Sequence, residues 1–179
     1  MHTLDNKTYS LNRTLLIALF LFICTSNVNA AASAEVKVGE SLRDVSMQGL
    51  LVKSKKISEF RGKPLIINVW ASWCGPCRAE MASLERLSQR FGGRQFNVIG
   101  ISTDDERRAA LQLIIESKLS FSNYLDSNLT LEHMLGAHTI PLTIFVDEKG
   151  TVVRKVRGSQ VWDSAESVTV IRKTFKINM

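Results

Sequence analysis

Leu65-Ile66-Ile67-Asn68-Val69-Trp70-Ala71-Ser72-Trp73-Cys74-Gly75-Pro76-Cys77-Arg78 is the stretch on which the fold of this chain turns. Its first six residues are a nearly continuous apolar run of strand length, the pattern of a central strand buried on both faces. Behind the two cysteines, Cys77, Met81, Leu84, Leu87 and Phe91 recur at helical spacing, while Arg78, Glu85 and Arg86 fall elsewhere. Gly92-Gly93 ends that helix. A strand feeding a helix puts Cys74 beyond the helix N-terminus, where free backbone N–H groups and the macrodipole stabilise an anion. A thiolate there has a depressed pKa and attacks disulfides at neutral pH. Pro76 suits the first helical turn because its missing N–H has no intrahelical partner to lose. Gly75 keeps the turn tight and leaves one side of Cys74 open. Cys77, one turn deeper, is the expected resolving thiol.

On the N-terminal side, residues 35–63 are polar with short apolar pieces (Val45, Met47, Leu50, Leu51, Val52), read as a β-hairpin. Arg61-Gly62-Lys63-Pro64 is a turn into the central strand. On the C-terminal side, Phe96 to Ile101 is a second buried strand. Thr103-Asp104-Asp105-Glu106 has the form of a capping box, with Thr103 as N-cap. The helix it opens is expected to turn Ala110, Leu111, Ile114 and Ile115 inward and to end near Lys118. A short helix from Leu129 to Leu135 stops at Gly136. Thr143 to Val146 is a strand, Asp147-Glu148-Lys149-Gly150 a turn, and Thr151 to Val156 its hairpin partner. Asp163 is placed to cap a last helix carrying Val168, Ile171 and Phe175. The order β-α-β-α-(α)-β-β-α predicts an α/β fold with a mixed central sheet flanked by helices.

The 179 residues suit one domain plus a targeting segment. The formal charge of +6 is spread along the chain. Its densest basic stretch, Lys53, Lys55 and Lys56, reads as a solvated loop, so no nucleic-acid partner is expected. Lys7 and Arg13 precede an apolar run, Leu15 to Cys24, and Val28-Asn29-Ala30 fits a signal peptidase site. Residues 1–30 therefore read as a signal peptide and 31–179 as the mature domain. The apolar run is well short of the roughly 20 residues a spanning helix needs; an uncleaved anchor is the other reading. Ile23 before Cys24 argues against a lipoprotein. The expected location is periplasmic or otherwise extracytoplasmic. Cleavage leaves Cys74 and Cys77 as the only cysteines. A loop this short adds little as a staple, so the pair is expected to be reactive in a disulfide-permissive compartment.

Trp70 to Arg78 resembles the active site of the thioredoxin superfamily, and within it the chain is most similar to the TlpA/ResA-like exported branch. Ile57 to Pro64 resembles that branch's lead-in, and Ile140-Pro141-Leu142-Thr143 its cis-proline loop. The extra helix near Asn128 to Gly136 fits the same branch. The resemblance implies a thioredoxin fold with an N-terminal hairpin and an inserted helix. It implies catalytic Cys74 and Cys77, supported by Trp73, Gly75, Pro76, Ile140, Pro141 and Glu80. Pro141 would be cis, with the Ile140 backbone free to pair with a substrate strand. Asn68 stands where cytosolic thioredoxins keep a buried aspartate. Glu80 matches an acidic position near the thiols; its other reading is a solvated helix carboxylate. Ala82 departs from the branch, which has a helix-kinking proline there. Trp70 and Trp73 are expected to act chiefly through packing, with Trp73 also a candidate for the docking surface.

The implied activity is thiol–disulfide exchange, with no cofactor beyond the Cys74–Cys77 disulfide. Gly-Pro between the cysteines favours a reductase over a disulfide-donating oxidase. The implied partners are an exported disulfide protein such as apocytochrome c and a membrane electron-transfer reductase; a monomer is the default state. A Sco-like copper carrier on the same fold is the main alternative. It uses a cysteine pair separated by three residues, and His133 and His138 read as surface residues. A thiol peroxidase would want a threonine where Ala71 stands.

Overall fold

The computed structural model describes residues 35–178. The segment read as a signal peptide, with Cys24, lies outside the described residues. Twelve short elements follow the hairpin-first order: β1 (Ser46–Gly49), β2 (Lys55–Lys56), a 3-10 turn (Ile57–Phe60), β3 (Leu65–Trp70), α1 (Gly75–Phe91), β4 (Asn97–Ser102), α2 (Arg107–Glu116), β5 (Ser122–Leu125), α3 (Thr130–Leu135), β6 (Leu142–Val146), β7 (Val152–Arg157) and α4 (Ala165–Phe175). The sheet order is β2-β1-β5-β4-β3-β6-β7. β3, β4 and β5 run parallel, joined by helical crossovers. β6 lies antiparallel to β3, and β7 folds back on β6.

β3 is buried at all six positions because helices or loops cover both sides of it. Its residues alternate between two cores. Ile66 and Trp70 join Met81, Leu84 and Leu87 of α1, Ala110, Leu113 and Ile114 of α2, and Ile171 of α4. Leu65, Ile67 and Val69 face Leu131, Met134 and Leu135 of α3 and the incoming Val36 and Leu42. Each fully buried Leu, Ile or Met contributes about 1.5–3 kcal/mol, so α1 is fixed to the sheet chiefly by its apolar stripe.

Several local expectations change in three dimensions. Thr103 is not an N-cap: α2 begins at Arg107, and the Thr103 hydroxyl and N–H both turn to the Trp70 carbonyl at the end of β3. α2 buries Leu113 where Ile115 was expected, and Ile115 is exposed. α4 is capped by Ser164, whose hydroxyl accepts from Ser167 N; Asp163 instead pairs with Arg86 of α1 at 2.6 Å. Glu85, placed off the apolar stripe, is buried because it accepts from the Ser120 N–H and hydroxyl. Leu51 and Val52 form the exposed tip of the hairpin, and Lys55 and Lys56 are a two-residue strand.

β5 (Ser122–Leu125) is absent from the sequence reading. Its residue Asn123 accepts a hydrogen bond from Trp70 Nε1 at 3.1 Å across the sheet and donates to Phe121 O at 2.8 Å. Gly100 of β4 makes that bridge fit: a Cβ there would overlap Asn123 Oδ1 and stand 2.6 Å from Trp70 Nε1. Gly100→Ala is therefore expected to lower stability by about 2–4 kcal/mol, through overpacking and a broken buried hydrogen bond. Urea unfolding of the oxidised protein measures it; a loss under about 0.5 kcal/mol would show that the bridge is dispensable.

Candidate active site

The end of β3 and the start of α1 bring the cysteines to the surface. Trp70 O accepts from Thr103 N at 2.9 Å, and Cys74 N donates back to Ala71 O at 3.1 Å, closing a tight turn between strand and helix. Asp104, 3% exposed, holds the turn from the other side. Its carboxylate accepts from Ser72 N at 3.0 Å, Ser72 Oγ at 2.6 Å and Ser102 Oγ at 2.7 Å. Cys74 is the N-cap of α1, and its sulfur accepts from Cys77 N at 3.2 Å. Cys74 and Cys77 are joined as a disulfide. Cys77 is fully buried and Cys74 keeps a 5% exposed edge, as expected of a resolving thiol and an attacking one.

Facing this edge is the Ile140–Pro141 peptide, which is cis as expected. Cys74 Sγ lies 3.8 Å from Ile140 O. A reduced Cys74 thiol has a proton to donate across that gap; in the disulfide it has none. Gly75 and Pro76 are exposed beside the pair. Trp73 is 73% exposed, so its contribution is to the surface around Cys74 and not to packing; Trp70 is wholly buried.

Glu80 is not a solvated carboxylate. It is 1% exposed, one helical turn beyond Cys77 on the same face of α1. Three donors converge on it: Asn68 Nδ2 on Oε1 at 2.7 Å, and Gln160 N and Trp162 Nε1 on Oε2, each at 3.0 Å. Burial pushes its pKa above the ordinary glutamate value, and the three hydrogen bonds oppose that rise only in part. α1 runs unbroken through Ala82, so Glu80 reaches the interior without the kink proline. Asn68 also donates to Thr143 Oγ1 at 2.9 Å, whereas its own Oδ1 is buried without a donor. The pocket is short of a proton, not of an acceptor.

Sequence reasoning placed Cys74, Cys77, Trp73, Gly75, Pro76, Ile140, Pro141 and Glu80 together, and the fold brings all of them to one end of β3. It missed Asp104, Thr143, Gln160 and Trp162. Asp104 was visible only as part of a supposed capping box, and Trp162 stands more than 80 residues from its partner. His133 and His138 are exposed, with ring centroids 6.1 Å apart. Among the described residues no group of three ligating side chains gathers to hold a metal.

Residues 37–171 match the Redoxin family. The thiol-disulfide oxidoreductase ResA of Oceanobacillus iheyensis is 25% identical over 156 residues, covering 85% of this chain and 81% of that protein. The thiol:disulfide interchange protein DsbE of Pseudomonas fluorescens is 35% identical over 104 residues, 56% of this chain and 55% of the relative. Among solved structures, the thioredoxin domain of a thiol-disulfide oxidoreductase from Bacteroides vulgatus superposes with a TM-score of 0.65 at 23% identity, covering 75% of this chain and 99% of that one. The mixed sheet, the cysteine pair at a helix N-terminus and a match running from Lys37 into α4 agree, and the chain belongs to the Redoxin family.

Proposed function

We propose that this thiol–disulfide oxidoreductase works as a reductase of disulfides in exported proteins, with Cys74 as the nucleophile and Cys77 as the resolving thiol. The observation that carries the reading is the position of Cys74 Sγ, on the N-terminal backbone of α1 and 3.8 Å from the carbonyl that precedes a cis-proline. A substrate strand laid along Ile140 puts its disulfide in line with that sulfur.

The exchange then balances in two steps. The Cys74 thiolate attacks one substrate sulfur, the substrate S–S bond breaks, and the departing thiolate takes up a proton. Cys77 gives its proton to the Glu80 carboxylate and attacks Cys74 Sγ. The mixed disulfide breaks, the second substrate sulfur leaves as a thiolate that takes up a proton, and Cys74–Cys77 forms. Two electrons pass from the chain to the substrate. Recharging needs a donor of two electrons and two protons, which for an exported reductase means a membrane electron-transfer protein. Gly75-Pro76 supports the reducing direction, and the similarity to ResA and DsbE supports an extracytoplasmic disulfide protein, such as an apocytochrome c, as substrate. No cofactor beyond the disulfide takes part, and the chain acts as a monomer. Among the described residues no helix is long and apolar enough to cross a membrane.

The decisive measurement is the reduction potential of the pair against thiol buffers. A value near or below about −270 mV fits a reductase, and one near about −120 mV makes the chain a disulfide donor instead. Cys77→Ser should accumulate a mixed disulfide with a peptide disulfide, visible as a mass adduct on Cys74, while Cys74→Ser gives none. An adduct on both variants or on neither would sink the assigned order of attack.

Glu80 also writes a pH signature on stability. Its folded-state pKa is raised, so the folded protein holds that proton more tightly than the unfolded chain. The stability that Glu80 contributes is then fully present below the ordinary glutamate range and is lost as pH rises through the raised value. In urea titrations of the oxidised protein, where neither cysteine ionises, Glu80→Gln should flatten that fall. An unchanged slope would mean that the folded and unfolded chains bind the Glu80 proton equally well.

A further inference from the structure

β7 does not run directly into α4. Residues 158–164 lie between them as a strap, tied at both ends to the site. At its front, Gly158 N donates to Pro141 O at 2.9 Å, gripping the cis-proline loop. Further along, Gln160 N and Trp162 Nε1 both donate to Glu80 Oε2. Trp162 N donates to Ser83 Oγ at 3.1 Å, and that hydroxyl lies 2.8 Å from Glu80 O, to which it donates. Trp162 is 3% exposed, with its ring 6.0 Å from that of Phe145. A tryptophan that only filled the core would leave its indole N–H to any carbonyl within reach. Here it is spent on the one buried carboxylate beside the resolving cysteine.

We propose that Trp162 is a positioning residue for thiol–disulfide exchange: its indole N–H holds Glu80 Oε2 in the orientation from which the carboxylate takes the Cys77 proton. This rests on the reading of Glu80 as the proton acceptor for Cys77. The groups around Glu80 leave few rivals for the role. Asn68 of β3 and Thr143 of β6 lie on one side, Gln160 and Trp162 of the strap on another, and Cys77 and Ser83 come from its own helix. Only Cys77 among them, once reduced, has a proton to lose, and no neighbouring charge contributes to the state of Glu80. Neutral donors alone therefore decide how readily the carboxylate survives burial, and Trp162 supplies one of three. A hydrogen bond to an ionised group is strong in a dry site. The second tie of the strap, Gly158 to Pro141, puts the same segment in contact with the loop on which substrate docks.

The test is Trp162→Phe in the full chain, which keeps an aromatic ring against Phe145 and removes the N–H. The rate of disulfide reduction is followed against pH. The limb governed by Glu80 should move up by about one pH unit, a rate about tenfold lower below the midpoint that converges with the parent at high pH. In a Glu80→Gln background the same substitution should change nothing further. A uniform loss at every pH, or an equal loss in both backgrounds, would assign Trp162 to packing and overturn the proposal. A profile that Glu80→Gln leaves unmoved removes the proton role of Glu80 and the proposal with it. A profile moved by Glu80→Gln but not by Trp162→Phe removes the proposal alone. Should the variant not fold, the indole N–H proton resonance of Trp162 in the unmutated oxidised protein gives the answer. It should titrate in step with Glu80 and stop titrating in Glu80→Gln; a resonance indifferent to pH would overturn the proposal.

Discussion

The C-terminal end of β3 is the point from which the rest of the site is measured. A central strand with neighbours on both sides cannot shift along its axis without breaking two ladders at once. Trp70 therefore ends at a fixed height, and its carbonyl is pinned by Thr103. Four residues later the chain must already be helical, with Cys74 as the cap. Asp104 takes out the slack by binding Ser72 through both backbone and hydroxyl. The sulfur is thus held by the sheet and not by its own loop. That arrangement suits a nucleophile that must meet foreign disulfides at a reproducible angle.

The parts of this arrangement that were legible in the sequence share a property: their signal is local. The apolar run of β3, the stripe along α1, the Gly136 stop and the Ile140-Pro141 dipeptide each declare themselves within a few residues. β5 does not, because Ser122-Asn123-Tyr124-Leu125 is short and carries a polar residue at a buried position. Asn123 is there for Trp70, 53 residues away, and the space for their contact is opened by Gly100 on the strand between. Thr103 and Asp104 misled in the opposite sense. Their spacing matched a capping box, but the hydroxyl and carboxylate found stronger partners at the end of β3 and in the active-site turn. Glu85 and Ile115 exchanged expected places because burial on a helix at a domain edge depends on what packs above it, which helical periodicity does not encode.

Glu80 sits between these cases. Its position three residues after Cys77 marked it as able to share the face of the thiols, and nothing local said whether that face was wet. The answer came from a strap some 80 residues downstream. Desolvating a carboxylate is costly, and leaving it without partners would push it to the neutral form outright. Three neutral donors and no cation leave it between those limits. A salt bridge would have held the carboxylate charged and made it a poor acceptor; an apolar pocket would have kept it protonated and unable to accept at all. A buried acid that takes a proton and gives it back, as proposed for Glu80, is best served by partners of this intermediate strength.

The same reasoning bears on why the strap touches Pro141 as well as Glu80. Disulfide exchange has two moments that should not be separated. Substrate must be bound when Cys74 is attacked, and Cys77 must lose its proton only then. Gly158, Gln160 and Trp162 lie within five residues of one another, and their hydrogen bonds reach the cis-proline loop at one end and Glu80 at the other. A short run of backbone therefore links the cis-proline loop to Glu80 Oε2.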